Sequence, residues 1–363
     1  MKTPKKSILI AFSIGLVSFY SCKKAETPPN STAGSTNFEN GVLIANEGAF
    51  GSSNGSISYY NPSFNNVTNE LFQKINHRPL GDVVQSVNRY EESVYICVNN
   101  SNKVEVVNAS NFKEEATITG VSQPRYMVGY GTTGYVSSWN NSGEIAIIDL
   151  STNLVSGTIP VNTGPEKMVI ANNQLYVMNS GGYDIDSTIS VIDLSNNTLK
   201  TTITIPAYNP TAAVVDHNNN VWVLAKGRTI YDANWNYLGD DPSVLFKINS
   251  STNTIENTIN LFATQHPNSL DISPDGSTLY IGGSWGFKGI YTVNTSTPTT
   301  PTTPLINELC YGLLVNSNNG NIFLLQEASA ANGKLLRYDA SGNQLGEYTV
   351  GIFPNGGSKR NKK

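Results

Sequence analysis

One short phrase recurs seven times along this chain: an apolar residue, then Asp or Asn, then any residue, then Ser. The copies are Tyr60-Asn61-Pro62-Ser63, Val107-Asn108-Ala109-Ser110, Ile148-Asp149-Leu150-Ser151, Ile192-Asp193-Leu194-Ser195, Ile248-Asn249-Ser250-Ser251, Val293-Asn294-Thr295-Ser296 and Tyr338-Asp339-Ala340-Ser341. Consecutive Asx positions lie 47, 41, 44, 56, 45 and 45 residues apart. A period near forty with variable insertions marks an array of supersecondary units. Asp or Asn at a strand end folds its side chain onto the backbone two residues on, and Ser does so more weakly. The phrase therefore ends a strand and starts a turn.

The length of 363 residues would allow two or three domains. The repeat overrides that prior, because seven units of one array make a single domain. Helix formers are sparse, while Asn, Ser, Thr, Gly, Val, Ile and Tyr are abundant, which favours strands and turns. The formal charge of −4 hides an uneven distribution. The termini are basic, and positions 38 to 357 hold 14 basic against 26 acidic residues. An acidic body argues against nucleic acid as a partner, since phosphate backbones need clustered Lys and Arg. Cys97 and Cys310 are expected to be unpaired, buried small hydrophobes.

Residues 1–21 read as an export signal. Lys2, Lys5 and Lys6 precede an apolar run, Ile8 to Tyr20, too short to span a bilayer as a helix. Its end, Phe19-Tyr20-Ser21-Cys22, resembles a bacterial lipoprotein signal of Bacteroidota type, which implies lipidation of Cys22 and a membrane anchor. Residues 22–37 read as a flexible tether, 38–357 as the repeat domain and 358–363 as a basic tail. The resemblance implies an outer-membrane location. The tether begins Lys23-Lys24-Ala25-Glu26, which leaves open whether the protein faces the cell surface or the periplasm.

Each unit carries four strand signals. One unit shows them well: Glu166 to Ala171, Gln174 to Asn179, Thr188 to Asp193 and Leu199 to Ile205. Seven second strands match the seven turn phrases. A four-stranded unit cannot bury its own faces, so such units pack face to face around an axis. The expected fold is all-β, a seven-bladed β-propeller with four antiparallel strands per blade. With Ser273-Pro274-Asp275-Gly276-Ser277-Thr278-Leu279-Tyr280-Ile281 the chain resembles the YVTN (YncE-like) propeller family, over residues 41 to about 350. The chain enters at a second strand, Val42 to Ala45. The missing innermost strand should come either from Asn355-Gly356-Gly357-Ser358, poor strand material, or with help from residues 37 to 41.

Antiparallel strands send their connections alternately to the two ends of a blade. Turns between first and second, and third and fourth strands share one face; here they are short, apart from Thr297 to Pro304, expected as a disordered bulge. The other face takes the second-to-third and blade-to-blade loops, with long insertions at 46–56, 179–187, 225–242, 282–288 and 326–333. Loops carry function on propeller scaffolds, so the candidate ligand residues are Arg125, Trp139, Tyr183, Arg228, Trp235, Tyr237, Trp285 and Phe287. The same face offers Tyr231, His77, Arg78, Tyr126, Tyr208, His266, Tyr311 and Phe353, and the acids Asp184, Asp186, Asp232, Asp240 and Asp241. No calcium-hand spacing appears among those acids, and the sequence calls for no metal or other cofactor. His77 and His266 are the one candidate acid/base or metal pair; His217 lies in a turn of the opposite face. Nucleophile-elbow, zinc-helix and phosphate-loop motifs are absent.

These readings point to a lipid-anchored envelope propeller that binds a small molecule on its loop face. The opening strand, Ile44-Ala45-Asn46-Glu47-Gly48-Ala49-Phe50-Gly51, resembles propeller lipoproteins of Bacteroidota. Some of these are surface cobalamin-binding proteins. That resemblance implies a corrinoid, or another nutrient, passed to a TonB-dependent outer-membrane transporter. The alternatives are a propeller lyase or lactonase at the same face, and a protein-interaction scaffold.

Overall fold

The structure, a computed structural model, describes residues 37–140 and 143–358. The segment expected to be an export signal, Cys22 and the basic residues after 358 lie outside the described residues. Among those described, seven four-stranded antiparallel sheets form the blades of a propeller. Blade 4 runs Pro165–Ala171, Gln174–Asn179, Thr188–Asp193 and Thr198–Thr204 from the channel outward, within one residue of the strands read from sequence.

The repeated phrase does in space what its chemistry requires. In all seven copies the Ser backbone N–H donates to the Asx side-chain oxygen at 2.9 or 3.0 Å. In two copies the Ser hydroxyl also donates to the carboxylate at 2.6 Å, which holds Asp149 and Asp193 below the usual Asp range. The turn closes four residues on, where Asn153, Asn197 and Asn253 sit at φ 55–59° and donate their N–H to the Asx carbonyl. Asn tolerates that left-handed backbone better than most side chains.

The core is a ring of seven apolar clusters, one at each blade-to-blade seam. Strand alternation explains it. Along Gln174–Asn179, Leu175 and Val177 pack toward blade 3, while Tyr176 and Met178 pack toward blade 5. Cys97 and Cys310 are unpaired and buried in this ring. Second-strand tyrosines also bridge seams. Tyr135 donates to Asn197 of the next blade at 2.5 Å, and Tyr176 likewise bonds Asn253.

The ring closes through the C-terminal end. Pro354–Ser358 pairs with Val42–Asn46 as the innermost strand of blade 1. The glycines that make it look unlike a strand have a reason to be there. A Cβ on Gly357 would stand 2.1 Å from the Leu43 carbonyl oxygen. Residues 37 and 38 instead cap the turn face, where the Phe38 N–H donates to Ser110 O at 3.0 Å.

Other expectations need correction. The insertion 225–242 is no irregular loop but a hairpin, Arg228–Tyr231 with Tyr237–Asp241. Residues 326–333 extend the strands Ile322–Ala328 and Ala331–Tyr338 of blade 7. The Thr/Pro-rich bulge is tied to blade 5, with Thr300 donating to Asn260 O at 2.7 Å. A six-residue helix, Leu71–Asn76, precedes blade 2 and buries Leu71 and Phe72; the strand-dominated pattern gave no hint of it. Among the described residues no helix is long and apolar enough to cross a membrane.

Candidate ligand site at the channel mouth

The innermost strands converge on a central channel, and their first residues ring its mouth on the loop face. Pro opens the inner strand of blades 1, 3, 4 and 5, as Pro354, Pro124, Pro165 and Pro210. A strand's first position suits Pro, which cannot donate to the ladder. The next residue lines the channel mouth: Asn355, Arg125, Glu166 and Thr211, with Gln85 at the matching position of blade 2. In blades 2 to 5 the register of the inner strand shifts just here, the kind of irregularity that re-aims side chains beside sites.

Together with Glu47, Trp139, Lys226 and Tyr311, which follow second strands or join blades, these residues line a polar cavity of about 260 Å³. Arg125 donates from Nε (3.2 Å) and Nη2 (2.8 Å) to one oxygen of Glu166. The pair is well buried, with side chains 14% and 9% exposed. The same guanidinium lies 4.0 Å over the Trp139 ring, and Tyr183 meets Trp139 edge to face at 5.3 Å. Burial pushes Arg125 toward losing its proton, and the Glu166 charge more than offsets that, holding it above its ordinary value.

Opposite stands Glu47, which accepts from Asn355 Nδ2 at 2.8 Å and from the Tyr311 hydroxyl at 3.1 Å. Burial outweighs both bonds and raises the Glu47 pKa. Burial likewise lowers that of Lys226. Among the described residues, three buried polar atoms of the lining have no hydrogen-bond partner: Trp139 Nε1, Thr211 Oγ1 and Asn355 Oδ1. Buried polar groups are nearly always paired, and these three belong to residues that line one cavity, where water or a ligand can supply a partner.

The residues expected from sequence divide into three groups. Arg125 and Trp139 lie in the mouth, although Arg125 and Tyr126 belong to the strand Pro124–Tyr130 rather than to a loop. Tyr183, Trp235, Tyr237 and Trp285 form an exposed rim on blades 4 to 6; Tyr183 is 90% and Trp235 81% exposed. Trp285 packs at 6.5 Å on Tyr311 and 6.1 Å on Phe353, linking rim to mouth. Tyr231 joins Trp235 and Tyr237 on the projecting hairpin. Arg228 fastens that hairpin, pairing with Asp241 at 2.6 Å and stacking on Tyr208 at 4.7 Å. Phe287 is buried against Phe262 and Tyr291.

The two histidines do different work. His77 caps the short helix, and His266 bridges Asp240 (2.9 Å) and the Lys226 carbonyl (2.8 Å). Arg78 is committed to Glu105 and Glu114. Asp186 accepts from Thr188, and Asp232 from Asn234 and Asn236. Among the described residues no three His, Cys, Asp or Glu converge as metal ligands. Sequence reasoning passed over Glu47, Gln85, Glu166, Thr211, Lys226 and Asn355. Four of the six were within reach, since each occupies the second position of an inner strand, three of them directly after a periodic Pro.

Fold and site together define a seven-bladed β-propeller with a polar, mixed-charge pocket at one end of its channel. The chain belongs to the family described as Domain of unknown function (DUF5074), whose model matches residues 40–355. Among solved structures it is similar to a chain of "Kuenenia stuttgartiensis Hydrazine Synthase", at 12% identity and a TM-score of 0.63, covering 76% of this chain and 89% of that one. At that identity the likeness shows the fold alone. No curated protein sequence matches this chain.

Proposed function

We propose that this protein is a lipid-anchored propeller of the cell envelope that captures a small molecule at the loop-face mouth of its channel. The observation that carries the reading is the set of unpaired buried atoms, Trp139 Nε1, Thr211 Oγ1 and Asn355 Oδ1, on one cavity. An Arg125–Glu166 pair held by a stacked Trp139 supplies the fixed polar frame that ligand sites use for orientation. The YVTN-like repeat and the lipoprotein-type signal ending at Cys22 support the envelope setting. Radiolabelled palmitate incorporation lost in Cys22→Ala tests the anchor.

Native mass spectrometry of protein recovered from its own cells tests the site. A bound small molecule, lost in Trp139→Ala, is the expected result. No adduct, together with no thermal shift across a panel of small nutrients, contradicts it.

A second reading gives the ligand as a corrinoid passed to a TonB-dependent transporter. What favours it is the exposed aromatic rim of Tyr183, Trp235, Tyr237 and Trp285, a surface suited to a wide planar ligand. Isothermal titration with cobinamide and cobalamin tests this version. Heat that Trp285→Ala abolishes supports it, and no heat with either compound removes it.

A further inference from the structure

The charge of the mouth runs against that of the body. Acidic residues outnumber basic ones across positions 38 to 357, yet the cavity is lined by Arg125, Lys167 and Lys226 against Glu47 and Glu166. Arg125 and Glu166 neutralise one another. Glu47 is held by the donors Asn355 and Tyr311. Three basic side chains against two acidic ones leave the lining with an excess of one positive charge inside a low-dielectric pocket, where it acts more strongly than at the surface. A single negative charge would suit it. A dianion would meet both carboxylates.

The unpaired atoms refine the choice. Trp139 Nε1–H can only donate, and Lys226, which also can only donate when charged, lines the same cavity; two such donors suit a carboxylate. Asn355 Oδ1 can only accept, and Thr211 Oγ1 does either, so the ligand must also carry O–H donors. A cavity of about 260 Å³ lies just below the usual range for drug-sized ligands, so the occupant is of monosaccharide size. We propose that the mouth binds a small hydroxylated monocarboxylate of sugar-acid size, its carboxylate at Lys226 and Trp139 and its hydroxyls at Thr211 and Asn355. This rests on the mouth being the ligand site.

Isothermal titration of the purified protein with D-glucuronate, D-gluconate, D-glucose and inorganic phosphate tests it. Either acid should bind, and glucose and phosphate should bind at least about tenfold more weakly, one lost charged contact being worth that much. Thr211→Val and Lys226→Met should each weaken the acid about tenfold. Thr211→Val removes a hydroxyl with no protein partner, so its unliganded melting temperature should not fall, which separates lost binding from lost folding. Glucose or phosphate binding as tightly as the acids overturns the ligand class, and so does no binding of either acid. Acid binding untouched by both substitutions overturns the placement at the mouth as well.

Discussion

Arg125 and Glu166 join blades 3 and 4 across the channel mouth, two guanidinium nitrogens converging on the single oxygen Oε1. Breaking such a buried pair leaves a charge uncompensated at a cost of about 3–5 kcal/mol, more than the pair itself contributes. Glu166→Gln should therefore lower the unfolding free energy by about 3 kcal/mol, whereas Arg125→Met with Glu166→Leu should restore most of it. Urea unfolding of wild type, Glu166→Gln and the double variant checks this. A double variant no more stable than Glu166→Gln would show that the pair is not a closed electrostatic unit.

Glu47 gives a pH signature of opposite sign to ordinary acid denaturation. Burial raises its folded pKa above the value of 4.5, so the folded state holds this proton more tightly than the unfolded state. Its contribution is complete below about pH 4.5 and is lost as pH rises through the folded pKa. Glu47→Gln keeps the partners, because the Tyr311 hydroxyl can accept where it had donated. The variant's stability relative to wild type should rise from pH 4.5 upward and then level off. A difference that stays flat with pH would contradict a buried, proton-retaining Glu47.

Tyr176 donates to Asn253 of the next blade and to Ser250 O, the latter at 3.2 Å. Tyr176→Phe keeps the ring in its seam cluster and deletes only the hydroxyl. The expected loss is about 1–2 kcal/mol, since a buried acceptor loses its donor. Calorimetry should show one cooperative transition at lower temperature, and an unchanged transition would mean that solvent replaces the bridge.

Ring closure makes a paired prediction at adjacent glycines. A Cβ at Gly357 meets the Leu43 carbonyl, while one at Gly356 meets nothing within 4 Å. Gly357→Ala should destabilise by about 2 kcal/mol or more and make residues 354–358 accessible to protease. Gly356→Ala should leave stability within about 0.5 kcal/mol of wild type. Equal effects at the two positions would argue against the pairing of Pro354–Ser358 with Val42–Asn46.

The blades were legible because their signals are local. The Asx-x-Ser turns and the alternating second strands depend on neighbours a few residues away, so Gln174–Asn179 and Thr188–Asp193 could be placed to the residue. The closing strand was half legible, because its glycines answer a carbonyl more than 300 positions earlier. The mouth was harder still. Glu47, Glu166 and Lys226 meet only when three blades converge, and nothing in their own surroundings distinguishes them from solvated charges. Large loop aromatics drew the sequence reading outward to Trp235 and Tyr237, which ride on the hairpin. Phe287 was drawn in the same way and is covered by Phe262 and Tyr291. The residue after each inner-strand Pro was the quieter signal that led to the channel.

Binding at the mouth can be read at one atom. Each of the four tryptophans gives one indole N–H resonance, and Trp139→Phe assigns that of Trp139. On titration with D-glucuronate in a two-dimensional nitrogen–proton spectrum, the Trp139 signal should move downfield in proportion to occupancy. Trp222, buried and donating to Asp216 at 3.0 Å, should stay fixed. A Trp139 signal that stays in place with D-glucuronate and with every small molecule that shifts the melting temperature, or movement confined to Trp235 and Trp285 on the rim, would contradict the channel mouth as the ligand site.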